Sequence, residues 1–139
     1  MIVLVLDTSV LLAALDPDDV EHASSSALLD EAREPLVVPV PVLGELDYMI
    51  AQRGKAELWH AFVDDLGTGA YDLHPTDPEL VVRASRLQAR YADLGIGFVD
   101  AAVFLTCVDL GEPKVATLDR RHFSVLRTPD GNALEILPG

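Results

Sequence analysis

Four acidic side chains stand where an acid needs a reason. Asp7 follows directly on the apolar run Ile2-Val3-Leu4-Val5-Leu6, and Asp119 comes two residues after Thr117 in Thr117-Leu118-Asp119-Arg120-Arg121. Glu45 shares a helical face with Val42 and Met49, and Asp100 shares one with Val103, Phe104 and Cys107. Each has an ordinary explanation when taken alone. Asp7 and Asp100 can cap helices, Glu45 can face a helix dipole, and Asp119 can make a turn. Taken together they suggest a cluster. Carboxylates packed side by side repel and raise one another's pKa. A hard divalent cation, Mg²⁺ or Mn²⁺, relieves that repulsion with a few carboxylates and water as ligands. The chemistry that follows is hydrolysis of a phosphodiester by metal-activated water. The cation inverts the local sign, so an acidic pocket can receive a phosphate.

The elements that must position these acids are legible from periodicity and punctuation. Ile2 to Leu6 reads as a strand buried on both faces. Asp7-Thr8-Ser9 then caps a helix over Val10–Leu15. Further helices are expected at about 20–33, from Pro41 to Arg53, at 55–66, from Pro78 to about Tyr91, and at 99–110. Strands are expected at Leu36–Val38, Ala70–Leu73, Lys114–Thr117 and Leu134–Leu137, with Asp119-Arg120-Arg121 turning away. Strands alternating with helices imply a parallel sheet in an α/β layer fold. Ligand sites in such sheets lie beyond the carboxyl ends of the strands, where helices also begin, so the four acids can converge there.

The bulk properties set limits. With 139 residues, half of them hydrophobic, the chain is expected to be a single domain over residues 1–139. The lone Cys107 leaves no intrachain disulfide framework or cysteine-rich zinc module. No apolar run approaches the roughly 20 residues of a membrane helix, and Ile2–Leu6 is too short for a signal peptide; a cytoplasmic protein with no membrane association is expected. Ten Lys+Arg against 23 Asp+Glu give a net charge of −13. That field argues against nonspecific nucleic-acid binding.

Asp7-Thr8-Ser9, Gly44-Glu45-Leu46-Asp47-Tyr48, Ile96-Gly97-Phe98-Val99-Asp100-Ala101 and Thr117-Leu118-Asp119-Arg120-Arg121-His122-Phe123, in that order, resemble the PIN domain. More narrowly, they resemble the VapC toxins of bacterial toxin–antitoxin pairs. The resemblance covers residues 2 to about 126. It implies a three-layer α/β/α sandwich with a central, mainly parallel sheet. It also implies a Mg²⁺- or Mn²⁺-dependent endoribonuclease acting on structured RNA (transfer or ribosomal), a cognate antitoxin and a homodimer. Asp7, Glu45, Asp100 and Asp119 fall on the family's acidic quartet, with Asp7, Asp100 and Asp119 as the metal ligands. Thr8, Ser9 and Thr117 fall on accessory polar positions, and Asp93 falls where many relatives carry an extra acid.

Other residues carry weaker signals. Arg120 and Arg121 adjoin Asp119 and are the candidate RNA contacts, because a guanidinium donates two parallel bonds to phosphate. Arg83, Arg86 and Arg90 form a stripe read as a solvated face, with Glu79 and Arg83 as an i,i+4 pair. His122 reads as a packed surface histidine, with RNA contact as the lesser option. Leu58, Trp59, Phe62 and Leu66 make an apolar face suited to the core or to an antitoxin groove. Asp47 points away from Glu45 and stays off the metal set. Two other acidic-pocket folds fit less well. A receiver domain needs two adjacent acids after its first strand, where Thr8 and Ser9 stand, and a haloacid-dehalogenase-type phosphatase needs an acid in place of Ser9. A PIN scaffold that acts only by binding a partner is the alternative function.

Overall fold

All five strands among the described residues pair in parallel. The computed structural model describes residues 2–139. Strands β1 (Leu4–Val5), β2 (Leu36–Pro39) and β3 (Asp72–His74) form one ladder, and β4 (Lys114–Ala116) and β5 (Glu135–Leu137) form another. A parallel bridge between Leu6 and Ala116 joins β1 to β4, and the Asp7 N–H donates to the Ala116 carbonyl at 2.9 Å. The order across the sheet is therefore β3-β2-β1-β4-β5. The expected mainly parallel sheet is wholly parallel among the described residues.

Among the described residues, seven helices and one 3₁₀ turn follow the strands: α1 (Thr8–Leu15), α2 (His22–Glu31), α3 (Val40–Gln52), α4 (Ala56–Gly67), α5 (Pro78–Arg90), the 3₁₀ turn Ala92–Leu94, α6 (Phe98–Asp109) and α7 (Arg120–Phe123). Val3, Leu4, Val5 and Leu6 are all buried. Successive strand residues point to opposite faces, so both faces of the sheet are covered and the fold is a three-layer sandwich. Two helices are buried nearly all round, α1 at Val10 to Ala13 and α6 at Ala101 to Cys107. No described helix is long and apolar enough to cross a membrane.

Several boundaries differ from the sequence expectation. Helix α2 begins at His22 rather than Val20, because the Asp16 and Asp19 carboxylates take the Asp18 and Glu21 N–H groups and build a turn there. Val20 is left 96% exposed. The third strand lies at Asp72–His74, two residues beyond its expected start; it is an exposed edge with no alternation to read. Arg120 and Arg121, expected as part of a turn after β4, open the short helix α7. The apolar stripe of α3 is Val42, Leu46 and Ile50, with Glu45 on its shoulder and Met49 outside it.

The apolar face of α4 contributes to the core. Phe62 is fully buried between the rings of Trp59 and Tyr71, at 5.8 and 5.0 Å between centroids, and Leu58 packs beside them. The loops beneath the sheet are pinned by charge. Asp16, itself buried, receives Arg53 at 2.8 Å and Lys55 at 2.6 Å, which ties the α1–α2 turn to the α3–α4 turn. Those two cations hold the Asp16 carboxyl well below the usual carboxylate range.

Candidate active site

The end of β1 and the end of β4 are stitched together by one run of hydrogen bonds. The Thr117 hydroxyl donates to Asp7 Oδ2 at 2.7 Å, and it accepts the Asp119 N–H at 3.0 Å. Because its single proton is committed to Asp7, the 3.3 Å contact with Ser9 Oγ has Ser9 donating. Ser9 Oγ in turn accepts the Leu118 N–H at 3.0 Å. Asp7 Oδ1 takes the Thr8 N–H at 2.8 Å as the N-cap of α1. Asp7 is thus both a helix cap and a buried carboxylate facing β4.

The other three acids approach from separate elements. Asp100 is the third residue of α6; the cap of that helix is Gly97, so the ordinary alternative, a capping role for Asp100, does not apply. Glu45 is half-buried on the second turn of α3. Asp119 caps α7, accepting the His122 N–H at 3.0 Å. The carboxylates sense one another. Burial pushes Asp7 up from 3.8 to about 7, with Asp100 and Glu45 adding repulsion against the hydrogen bonds from Thr117 and Thr8. Asp100 is raised first by burial and then by Asp119, with Glu45 adding to it and His122 opposing it. The structure therefore brings Asp7, Glu45, Asp100 and Asp119 within electrostatic reach at the carboxyl edge of the sheet.

One member of this cluster is not evident from sequence. His122 Nδ1 lies 2.7 Å from Asp119 Oδ2 and 3.4 Å from Asp100 Oδ2. Asp100, Asp119 and His122 each offer a ligand atom within 4.8 Å of the others. The available signal was the spacing: an N-cap acid and a residue three positions later meet across the first turn, as in a capping box.

Three sequence candidates fall outside the cluster. Asp93 is exposed on the 3₁₀ turn and has no hydrogen-bond partner among the described residues. Arg120 is exposed and donates from Nη2 to the Pro138 carbonyl at 2.5 Å, whereas Arg121 is exposed with no ion pair among the described residues. On α5, Arg83 pairs not with Glu79 but with Asp109 of α6, through two bonds at 2.9 and 2.8 Å. Arg86 and Arg90 are exposed, as expected of a solvated face.

The donor set fits a hard divalent cation. It offers carboxylate oxygens on two acids that burial, and after it mutual repulsion, lifts above their ordinary range, and a cation offsets both. Next to Asp7, the buried Thr8 hydroxyl finds no partner among the described residues, which is unusual for a buried polar atom.

The PIN domain family matches residues 4–128. Ribonuclease VapC26 of Mycobacterium tuberculosis (strain ATCC 25618 / H37Rv) is 35% identical over 135 residues, which span 97% of this chain and 100% of the relative. The crystal structure of Mycobacterium tuberculosis VapC20, described as a sarcin–ricin-loop-cleaving toxin, superposes with a TM-score of 0.78 at 19% identity, covering 84% of this chain and 90% of that one. The DNA-bound VapBC of Salmonella typhimurium superposes with a TM-score of 0.66 at 21% identity, covering 98% of this chain and 97% of that one. These structural likenesses are of fold. Together with the parallel β3-β2-β1-β4-β5 sheet and the acids at its carboxyl edge, the family match and the full-length relative establish that this chain belongs to the PIN domain family.

Proposed function

We propose that this protein is a divalent-metal-dependent endoribonuclease and the toxin of a toxin–antitoxin pair, acting on structured RNA in the cytoplasm. The observation that carries the reading is the meeting of Asp7, Glu45, Asp100 and Asp119, from four separate elements, with Asp7 and Asp100 raised by burial and mutual repulsion. The relative named Ribonuclease VapC26 supports the activity. The neighbours described as a sarcin–ricin-loop-cleaving toxin and as VapBC complexes support the substrate class and the antitoxin.

In this reading Asp7, Asp100 and Asp119 hold Mg²⁺ or Mn²⁺. The cation supplies Lewis acidity toward the phosphoryl oxygen and acidifies water. Glu45, half-buried on the shoulder of α3, orients the attacking water and takes its proton. Thr117 and Ser9 hold Asp7 against the β4 end, so the carboxylates are fixed before substrate arrives. Arg121, with Arg120 beside it, meets the RNA backbone next to Asp119. A chain of net charge −13 also favours a basic antitoxin segment. A homodimer completes the reading.

The experiment is brief induction of the protein in cells with and without its antitoxin, followed by transcriptome-wide mapping of new RNA ends. The reading predicts a small set of cleavage sites in transfer or ribosomal RNA, lost with Asp100→Asn. The binding-scaffold alternative predicts growth effects with no new RNA ends.

A further inference from the structure

We propose that His122 is the positioning residue for Asp119: its ring, donating from Nδ1 to Asp119 Oδ2, fixes that carboxylate in the orientation in which it meets the divalent cation. The inference deepens the metal-dependent reading and rests on it. An ordinary N-cap carboxylate is held by one backbone N–H. Asp119 is held at both oxygens by a single residue, with Oδ1 on the His122 N–H at 3.0 Å and Oδ2 on the ring at 2.7 Å. Each carboxylate oxygen can accept twice, so one lone pair on each oxygen is left over, and the group can no longer swing.

The backbone beneath the ring is equally fixed. Phe123, the next residue, is fully buried, and the His122 carbonyl accepts the Leu126 N–H at 3.3 Å. The ring nitrogen also lies 3.4 Å from Asp100 Oδ2, so it stands beside both carboxylates. The rival role is direct ligation through Nδ1. That would require the ring to give up its proton and its bond to Asp119, releasing the carboxylate at the moment it is needed. Partners that orient a ligand from outside the coordination shell typically tune metal affinity by roughly 10- to 100-fold.

The test is calorimetric titration of Mg²⁺, Mn²⁺ and Ni²⁺ into the chelator-stripped full-length protein and its His122→Asn, His122→Gln and His122→Ala variants, each checked for folding by thermal melting. The side-chain amide nitrogen of asparagine lies close to the position of Nδ1, whereas that of glutamine lies one bond farther out. The expected result is a loss of roughly 10- to 100-fold for alanine and glutamine, similar for Mg²⁺ and Mn²⁺, with asparagine restoring most of it. Asparagine against glutamine decides the matter if the alanine variant does not fold. Unchanged affinity in all variants overturns the proposal and leaves the metal-dependent reading standing. A loss concentrated on Ni²⁺ and not rescued by asparagine overturns it in favour of direct nitrogen ligation. A wild-type protein that binds neither Mg²⁺ nor Mn²⁺ overturns the proposal together with the reading it rests on.

Discussion

Replacing Asp7 by asparagine is predicted to stabilise the metal-free protein while removing its activity, and the gain should depend on pH. Asp7 is almost fully buried, and its pKa rises from 3.8 to about 7 on folding. Between those values the folded state keeps a proton that the unfolded chain has released. Stability therefore falls as pH rises through that window, and the full penalty is present above about 7. A difference of this size is worth about 4 kcal/mol at pH 8 and less than about 2 kcal/mol at pH 5. Asparagine cannot ionise and escapes the penalty, at the cost of one rearrangement. Its amide would face Thr117, whose proton now goes to Asp7 Oδ2. Thr117 can turn that proton toward Ser9 Oγ, 3.3 Å away, and still accept the Asp119 N–H. The exchange costs about 1–2 kcal/mol. The net expectation is a gain of about 2–3 kcal/mol at pH 8, or roughly 7–10 °C in Tm for a chain of this length, and little difference at pH 5. Thermal unfolding of both proteins in excess chelator at the two pH values measures it. An Asp7→Asn protein no more stable than wild type at pH 8, or equally favoured at both pH values, would refute the reasoning.

Thr117→Val removes the proton that Asp7 accepts and the oxygen that receives the Asp119 N–H; a loss of about 1–3 kcal/mol is expected, larger at pH 8 than at pH 5, by the same melting experiment. Arg121→Ala is expected to raise KM for RNA about tenfold, with Arg120→Ala adding less because Arg120 is engaged with the Pro138 carbonyl; neither should alter metal affinity, and steady-state kinetics with calorimetry would check both.

What was legible in the sequence was what depends on nearest neighbours and period. An apolar run ending in an acid gave β1 and Asp7. Asp77-Pro78 marked the start of α5, and the Asp77 carboxylate does cap it, accepting the Leu80 N–H at 2.8 Å. The helix termini at Gly54 and Gly111, both with φ near 66°, followed from the one residue that adopts that conformation without strain. What was not legible depends on packing. Arg83 has an acid one turn away in Glu79, yet it reaches Asp109, because α5 lies against α6 and offers a two-bond fork there. The half-buried position of His122 between two acids requires α6 and α7 to be placed first. The edge strand β3 carries no alternating pattern, since Asp72 and Leu73 are both exposed.

The central claim is that the acids at the carboxyl edge of the sheet form one divalent-metal site that cuts RNA. Its most direct test is the cleavage of purified ribosomal and transfer RNA by the chelator-stripped protein, followed as Mn²⁺ or Mg²⁺ is restored, with Asp100→Asn alongside. The account predicts discrete fragments that appear only with the cation, vanish again with chelator, and are absent for Asp100→Asn although that variant melts at or above the wild-type temperature. Cleavage that persists in chelator, or in folded Asp100→Asn at the wild-type rate, would contradict it.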